Sequence, residues 1–404
     1  MRETNLQTTT WRKVKLGEVS ALITKGTTPT TIGGDFVSKG INFIKAESIT
    51  DDGRFIKEKF GHIDEKTNQL LKRSVILEND ILYSIAGVIG RSALVTKEVV
   101  PANINQALAI IRLDKNQADP KYIFYVLSTT KQRNLSNSFV AQSVQANINL
   151  KQVGDFGISL PEITVQKRIS DILSAFDDKI ELNNKISKNL EQTAQAIFKE
   201  WLLKNQKSKI KNKKLGDLVK IISGHPFSSK LYTKNKGALG VVTIKNVQDG
   251  NFITNCDSFI DEKNIPKNMN QGCRVHDGDI LLSLTGNVGR VCFVYGGEYL
   301  LNQRVAKLRP KDERDRGLCY FLFRQASMQN QLINIAKGSA QPNLSPVETG
   351  EITFSIPSRE ILDKFNELAG PIYSRLVQNA LENQKLAALR DLLLPRLMSG
   401  EIRV

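Results

Sequence analysis

The chain is written twice, and this duplication constrains its fold more than any other feature. Lys15-Leu16-Gly17-Glu18 recurs as Lys214-Leu215-Gly216-Asp217, and Ile63-Asp64-Glu65-Lys66 recurs as Ile260-Asp261-Glu262-Lys263. Asp80-Ile81-Leu82-Tyr83-Ser84, with Gly87, Gly90 and Arg91 behind it, returns as Asp279-Ile280-Leu281-Leu282-Ser283 with Gly286, Gly289 and Arg290. Asn105-Gln106 matches Asn302-Gln303, Gln145 and Asn147 match Gln341 and Asn343, and Ser159-Leu160-Pro161 matches Ser355-Ile356-Pro357. Matches in this order along the whole chain mean two copies of one folding unit with few insertions between them.

Each copy has two physically different parts. Residues 1–160 and 213–358 hold short apolar runs, such as Ile81–Ile85 and Ile280–Leu284, bounded by Gly, Asn and Asp turns and interrupted by short helical stretches. That pattern predicts α+β domains, each with a twisted antiparallel sheet. Residues 161–212 and 359–404 are helical in character. Ile169, Leu173, Phe176, Ile180, Asn183, Ser187, Leu190, Ala194, Ile197 and Trp201 alternate spacings of four and three, the a/d stripe of a heptad repeat. The second copy runs in the same phase through Phe365, Ala369, Ile372, Leu376, Asn379, Asn383, Leu386, Arg390, Leu393 and Leu397.

Two such stripes predict a pair of long antiparallel helices. Their interface would run through Phe176, Ile180, Asn183, Leu190, Ile197 and Trp201 on one side, and Ile372, Leu376, Asn379, Leu386, Leu393 and Leu397 on the other. Asn183 and Asn379 fall at equivalent seam positions, where a polar side chain fixes register. Gly370-Pro371 is expected to break the second copy, so its helix should run from Pro371 to Leu394. The first should run from Asp177 to Leu203. Between the copies, the segment from Lys204 to Lys214 carries six lysines in eleven residues and reads equally as a solvated linker or a phosphate-contacting strip.

The formal net charge is +16, and the excess is spread along most of the chain rather than gathered in a tail. A distributed positive field attracts polyanions by releasing their counterions. No apolar run reaches the length of a membrane span, and the first eleven residues lack the apolar core of a secretory signal. Cys256, Cys273, Cys292 and Cys319 form no C-x-x-C pair, so a reducing cytoplasm is expected, without disulfides or zinc. There is no P-loop, no strand–G-x-G-x-x-G–helix unit, no H-E-x-x-H and no G-x-S-x-G. Ile63-Asp64-Glu65-Lys66 has the spacing of a nuclease fragment, but it lacks a preceding Pro-Asp and recurs in the other copy, which favours a structural role. The duplication offers no asymmetric catalytic constellation, and binding is the expected activity.

Three segments carry a family resemblance. Phe176 to Asn183 together with Ala194 to Trp201 resembles the central conserved region of type I restriction-modification specificity subunits. Leu389 to Ile402 resembles their C-terminal conserved region. Gly278-Asp279-Ile280-Leu281 with Thr285 to Arg290 is similar to the motif of their target recognition domains. The first copy departs at Asn79, where Gly is usual, and at Ala86, where the second copy has Thr285.

The resemblance implies a non-catalytic subunit whose two target recognition domains each read half of an asymmetric bipartite site in double-stranded DNA. It implies two modification (methyltransferase) subunits and restriction (motor-nuclease) subunits as partners. Those partners, rather than this chain, would use S-adenosylmethionine, ATP and Mg²⁺. The helices would set the half-site spacing. A helix from Asp177 to Leu203 is roughly 40 Å long at 1.5 Å per residue, or roughly 12 base pairs.

Base contacts are sought among polar groups on Gly-containing loops present in both copies, because amides and guanidinium groups pair bidentately with base edges. In the first copy these are Lys25, Thr27, Lys45, Ser84, Arg91, Gln106, Gln145 and Asn147. In the second they are Ser223, His225, Lys245, Ser283, Asn287, Arg290, Gln303, Gln341 and Asn343. Half of these should be scaffold, chiefly Asn105-Gln106, Asn302-Gln303 and the paired arginines Arg91 and Arg290, since domains that read different sequences share framework more than specificity. A coiled-coil interaction scaffold with incidental basic charge is the competing interpretation.

Overall fold

The computed structural model describes residues 11–141, 147–204, 211–336 and 342–404. The chain divides into two compact units. One is Met1–Asp178 with Ala388–Val404, the other Lys179–Ala387.

The first unit holds two four-stranded sheets and a short strand pair. One sheet is antiparallel throughout, in the order Ser20–Lys25, Leu108–Leu113, Ile81–Ser84, Ser92–Leu94. The other runs Gly61–Ile63, Phe36–Ile44, Ala102–Ile104, Val75–Ile76, and its central pair is parallel. Arg12–Lys15 pairs with Gly157–Leu160 at the start of the long helix. The second unit repeats the plan. Its antiparallel sheet is Val219–Ser223, Val305–Pro310, Ile280–Ser283, Val291–Phe293, and its mixed sheet is Phe259–Ile260, Leu239–Val242, Tyr299–Leu301, Arg274–Val275. The parallel pair in each unit departs from the all-antiparallel expectation. Its two strands are separated by a connection long enough to wind through the neighbouring sheet, which is what parallel pairing requires.

The repeated motifs have repeated physical jobs. Lys15 ion-pairs with Asp155 at 2.8 Å and Lys214 with Glu351, each tying the first strand to the turn before the last. The glycine in each motif admits a close backbone approach: a Cβ on Gly17 would lie 3.3 Å from the Gly154 carbonyl, and one on Gly216 3.2 Å from that of Gly350. Asn79 takes φ +75° and Gly278 φ +79°. Asn is the side chain that best tolerates this left-handed region, so the departure at Asn79 leaves the turn unchanged. Ala86 and Thr285 likewise make the same bridge, to Asn147 and Asn343. Asp64 caps the helix Glu65–Leu70 by accepting from Thr67 N at 2.7 Å, and Glu262 pairs with Arg274, so the Ile-Asp-Glu-Lys motif is structural.

The long helices depart from expectation at their ends. The first spans Ile163–Phe198, followed by a wide π turn over Lys199–Lys204, and so begins well before Asp177. Its first turns are anchored by Gln166, whose buried amide donates to Pro161 O and accepts from Asp119 N. The second spans Arg359–Met398 and passes through Gly370-Pro371 and Pro395 without a break. A mid-helix proline costs about 3 kcal/mol. Here Leu362, Phe365 and Ala369 on one side of Pro371, and Tyr373 and Leu376 on the other, are all buried in one core. At roughly 1.5–3 kcal/mol per buried side chain, continuity wins.

The seam is polar at its expected position. In the second unit Asn183 and Asn379 are fully buried. Asn183 Nδ2 donates to Glu382 Oε2 and Asn383 Oδ1, both at 2.9 Å, and Asn379 Nδ2 donates to Ser187 Oγ at 2.9 Å. Leu376 is buried there, with Leu190, Ile197, Trp201 and Ile372 packed partly against the same core, and Leu386 is half-buried. In the first unit Leu397 is buried in one cluster with Ile169 and Leu173, Leu393 packs against it, and Phe176 is half-buried. Ile180, at the start of the second unit, is also half-buried. The stripe therefore serves the core of each unit as well as the helix pair.

All four cysteines are free, buried and in the second unit. Burial raises each thiol, that of Cys256 to about 11. Because the thiolate is the reactive form, labelling of the native protein at pH 7.5 should be more than about a hundredfold slower than in guanidinium. Release of the four thiols with rising denaturant should follow the opening of the second unit specifically, and fast labelling without denaturant would contradict the packing described.

Candidate nucleic-acid interface

Four loops meet at one end of the sheets in each unit, held together mainly by backbone. In the first unit, Gly26 N donates to Leu108 O at 3.2 Å, Ile85 N to Ala107 O at 2.8 Å, and Ile148 N to Ile85 O at 2.9 Å. In the second, Gly224 N donates to Val305 O, Leu284 N to Arg304 O and Leu344 N to Leu284 O, at 2.9, 2.9 and 2.8 Å. The contact at the first loop is too close for any side chain. A Cβ on Gly26 would stand 2.1 Å from Ile104 O and 2.3 Å from Asn105 O, and one on Gly224 2.3 Å from both Leu301 O and Asn302 O.

The second loop of each unit is built on a buried serine. Ser84 Oγ donates to Val88 O and accepts from Arg91 N at 2.8 Å, while Ser283 Oγ donates to Asn287 O and accepts from Arg290 N at 3.0 Å. Arg91 is spent on the scaffold, donating from Nε to Asp51 Oδ1 at 2.7 Å and from Nη1 to Ile49 O at 2.8 Å. Arg290 donates to Gln248 Oε1. These four expected contacts are framework groups that shape the loop.

The others divide by what holds them. Lys25, Gln106 and Asn147 in the first unit are exposed on the loop cluster, as are Asn287, Gln303 and Asn343 in the second. Thr27 accepts from Arg73 Nη2 at 3.2 Å. The Ser223 carbonyl accepts from Cys273 Sγ at 3.4 Å, and the half-buried His225 ring lies 5.0 Å from that of Phe227. Lys45 sits 5.2 Å over the Phe36 ring. Lys245 ion-pairs with Asp257 at 2.8 Å, which raises its ammonium. Gln145 and Gln341 lie outside the described residues, as does most of the lysine-rich segment.

Five residues join this cluster that were not among the expected base contacts. Thr28 Oγ1 donates to Gln106 Oε1. Arg73 reaches Thr27 from another element. Arg304 is exposed at the position that Ala107 occupies in the first unit. Gly26 and Gly224 were legible as a matched pair within the repeat. The loop faces present amides, a guanidinium and ammonium groups, which suit hydrogen bonding to base edges and phosphates. Among the described residues there is no group of three or more His, Cys, Asp or Glu side chains that could hold a metal ion, and no helix is long and apolar enough to cross a membrane.

Comparisons with known proteins converge. The family model of the type I restriction modification DNA specificity domain matches twice, over residues 8–192 and 207–390. The chain is 24% identical to the type I restriction enzyme HindI specificity subunit of Haemophilus influenzae, over 97% of this chain and 99% of that one. It is 24% identical to the MjaIX specificity subunit of Methanocaldococcus jannaschii, over 97% and 93%. The crystal structure of a type I restriction-modification S subunit from M. genitalium shares the fold, with a TM-score of 0.58 at 17% identity and 98% coverage of both chains.

The glycine contacts give a direct test of the loop packing. Gly26→Ala and Gly224→Ala should each destabilise the protein by about 2 kcal/mol or more, since backbone carbonyls must move to admit the methyl group. Gly157→Ala, where nothing lies within 4 Å, should change stability little. Urea midpoints of the three variants measure this, and equal midpoints would refute the close approach.

Proposed function

The chain belongs to the type I restriction-modification DNA specificity domain family, and from that premise we propose that each unit reads one half of an asymmetric bipartite site in double-stranded DNA. The observation that carries the proposal is the matched pair of loop clusters. Their backbones are held by the same contacts, while the side chains on the first loop differ: Lys25, Thr27 and Thr28 in one, Ser223, His225 and Pro226 in the other. Domains that shared one target would be expected to keep the same groups on these loops.

In this proposal the chain carries no chemistry of its own. It docks two modification subunits, which supply S-adenosylmethionine and methylate adenine, and restriction subunits, which use ATP and Mg²⁺. The complex acts on DNA in the cytoplasm. Phosphate contacts from lysines and arginines set register, and base contacts from the loops select sequence. The paired helices set the distance between half-sites. Hydrogen bonds such as Asn379 to Ser187 would keep the two helices in step.

Two measurements test these parts separately. Exchanging residues 213–358 for the corresponding part of a relative, then sequencing methylated bases in cells that also express the modification partner, should change one half of the motif and leave the other intact. A change in both halves would refute modular reading. For spacing, four residues inserted after Ser187 and four after Gln378 keep the opposed seam positions matched. They lengthen each helix by about 6 Å at nearly constant helical phase. The non-specific spacer should grow by one or two base pairs with both half-sites unchanged. A spacer of unaltered length would show that the helices are not the ruler.

A further inference from the structure

The two units differ in chemistry at a loop where their backbones make the same contacts. Asn105-Gln106-Ala107 and Asn302-Gln303-Arg304 occupy the same loop, and in both the third residue's carbonyl accepts from the neighbouring loop, at 2.8 Å from Ile85 N and 2.9 Å from Leu284 N. One copy therefore carries a methyl group where the other carries a guanidinium.

Three exposed arginines of the second unit, Arg304, Arg309 and Arg375, have no side-chain partner among the described residues, and of these Arg304 stands on the loop cluster. Arg274, Arg314, Arg316, Arg324 and Arg359 of the second unit each pair with a carboxylate. Arg290 is committed to Gln248. The Arg304 side chain is exposed and takes no hydrogen bond or ion pair among the described residues. Its backbone is fixed from both sides, because its N–H donates to Asn302 Oδ1 at 3.2 Å. A planar five-donor fork rooted on rigid backbone in the middle of the loop cluster has the form that recognises two acceptors in one plane. In the major groove only guanine offers that pair, O6 and N7.

We infer that Arg304 is a specificity-determining residue of the second unit and makes its half-site require a guanine that the first unit, with Ala107, does not read from this position. The inference rests on the proposal that each unit reads half a site, and it adds the residue and the base. A phosphate would also attract a guanidinium. The two partners differ in what their loss does: a base contact restricts one position of the motif, whereas a phosphate contact affects every sequence alike and contributes to the salt dependence.

The test uses the full chain in complex with its modification subunits. Base-resolution sequencing of methylated DNA compares the parent with Arg304→Ala and Arg304→Lys. The parent must give a bipartite motif; a continuous motif or none would overturn the half-site proposal itself. Given a bipartite motif, Arg304→Ala should relax one guanine in one half-site, lowering its preference by about tenfold to about a hundredfold, with the other half-site unchanged. Arg304→Lys, a single point charge, should restore overall binding better than guanine preference. If instead Arg304→Ala weakens binding equally on all sequences, lowers the salt slope by about one and leaves the motif intact, the guanidinium holds a phosphate and the inference is wrong. Unchanged thermal melting and slow cysteine labelling establish that the variants are folded. Loss of fold in both variants would itself overturn an outward-facing role for this side chain.

Discussion

Each unit depends on one buried aspartate. Asp80 is 1% exposed and receives three hydrogen bonds: Leu77 N at 2.7 Å, Arg112 Nε at 2.8 Å and Arg112 Nη2 at 2.7 Å. Asp279 receives His276 N at 2.9 Å and Lys307 Nζ at 2.6 Å. In both copies the aspartate fixes the turn that launches the central strand, and the other end of that strand carries the Ser84 or Ser283 loop. A buried carboxylate deprived of its cation is costly, by about 3–5 kcal/mol, so the pair cannot be lost singly. The cation comes from different places on the neighbouring strand, since Lys307 stands where the first copy has Ile110 and Arg112 corresponds to Arg309, so it is the charge and not one conserved position that the aspartate requires. The candidate recognition loops therefore inherit their position from a charge pair at the opposite end of the strand.

The helix seam shows the complementary choice, specificity at some cost in stability. An apolar pair at Asn183 and Asn379 would bury more hydrocarbon. Instead Oδ1 of each asparagine is buried and accepts no hydrogen bond, a penalty of about 1–3 kcal/mol apiece. The Nδ2 groups, in exchange, are satisfied in one alignment of the helices, with Ser187, Glu382 and Asn383 as partners. An apolar stripe with heptad spacing can slip by a turn; a polar one cannot do so without stranding its donors. The first unit uses a charge for the same purpose. Arg390 Nη1 donates to Asp177 Oδ1 at 2.5 Å, and Asp177 also accepts from the Tyr125 hydroxyl at 2.5 Å, joining both helices to the recognition fold. Burial and then the Asp177 carboxylate raise that phenol, so it remains a donor.

Much of this was legible in the sequence because duplication separates signal from chance. The repeat marked two copies and the heptad spacing marked the helical stripes, with Asn183 and Asn379 as polar positions, but the compact units cross the four-part division, since their boundaries at 178–179 and 387–388 fall inside the two long helices. Local propensity misled at Gly370-Pro371, where the burial of Phe365, Ala369 and Tyr373 carries the helix through a residue pair that ends most helices. The recognition surface was the least legible part. Arg91 and Arg290 are framework groups, as expected of them, and Ser84 and Ser283 join them, whereas Gln106 and Gln303, expected as framework, are exposed. Repetition marks what both copies need, and what both need is the loop's shape. Thr28 and Arg304 carried no such mark, since each stands in one copy only.

On the proposed reading, that separation would let one fold serve two targets. Gln106 and Gln303 hang from equivalent backbone, but Thr28 donates to Oε1 of Gln106, whereas the matching residue in the second unit is Pro226, which has no side-chain donor. The first glutamine is held with its amide nitrogen directed away from Thr28 and is biased toward donating. Gln303 has no such neighbour and can present either face of its amide. Exposed substitutions of this kind usually change stability by about 0.5 kcal/mol or less. A single change from Thr to Pro, or from Ala to Arg, can thus alter which hydrogen bonds a loop offers without touching the serine, glycine and aspartate contacts that hold it. The framework is conserved between the copies because it is buried, and the recognition groups can diverge because they are not.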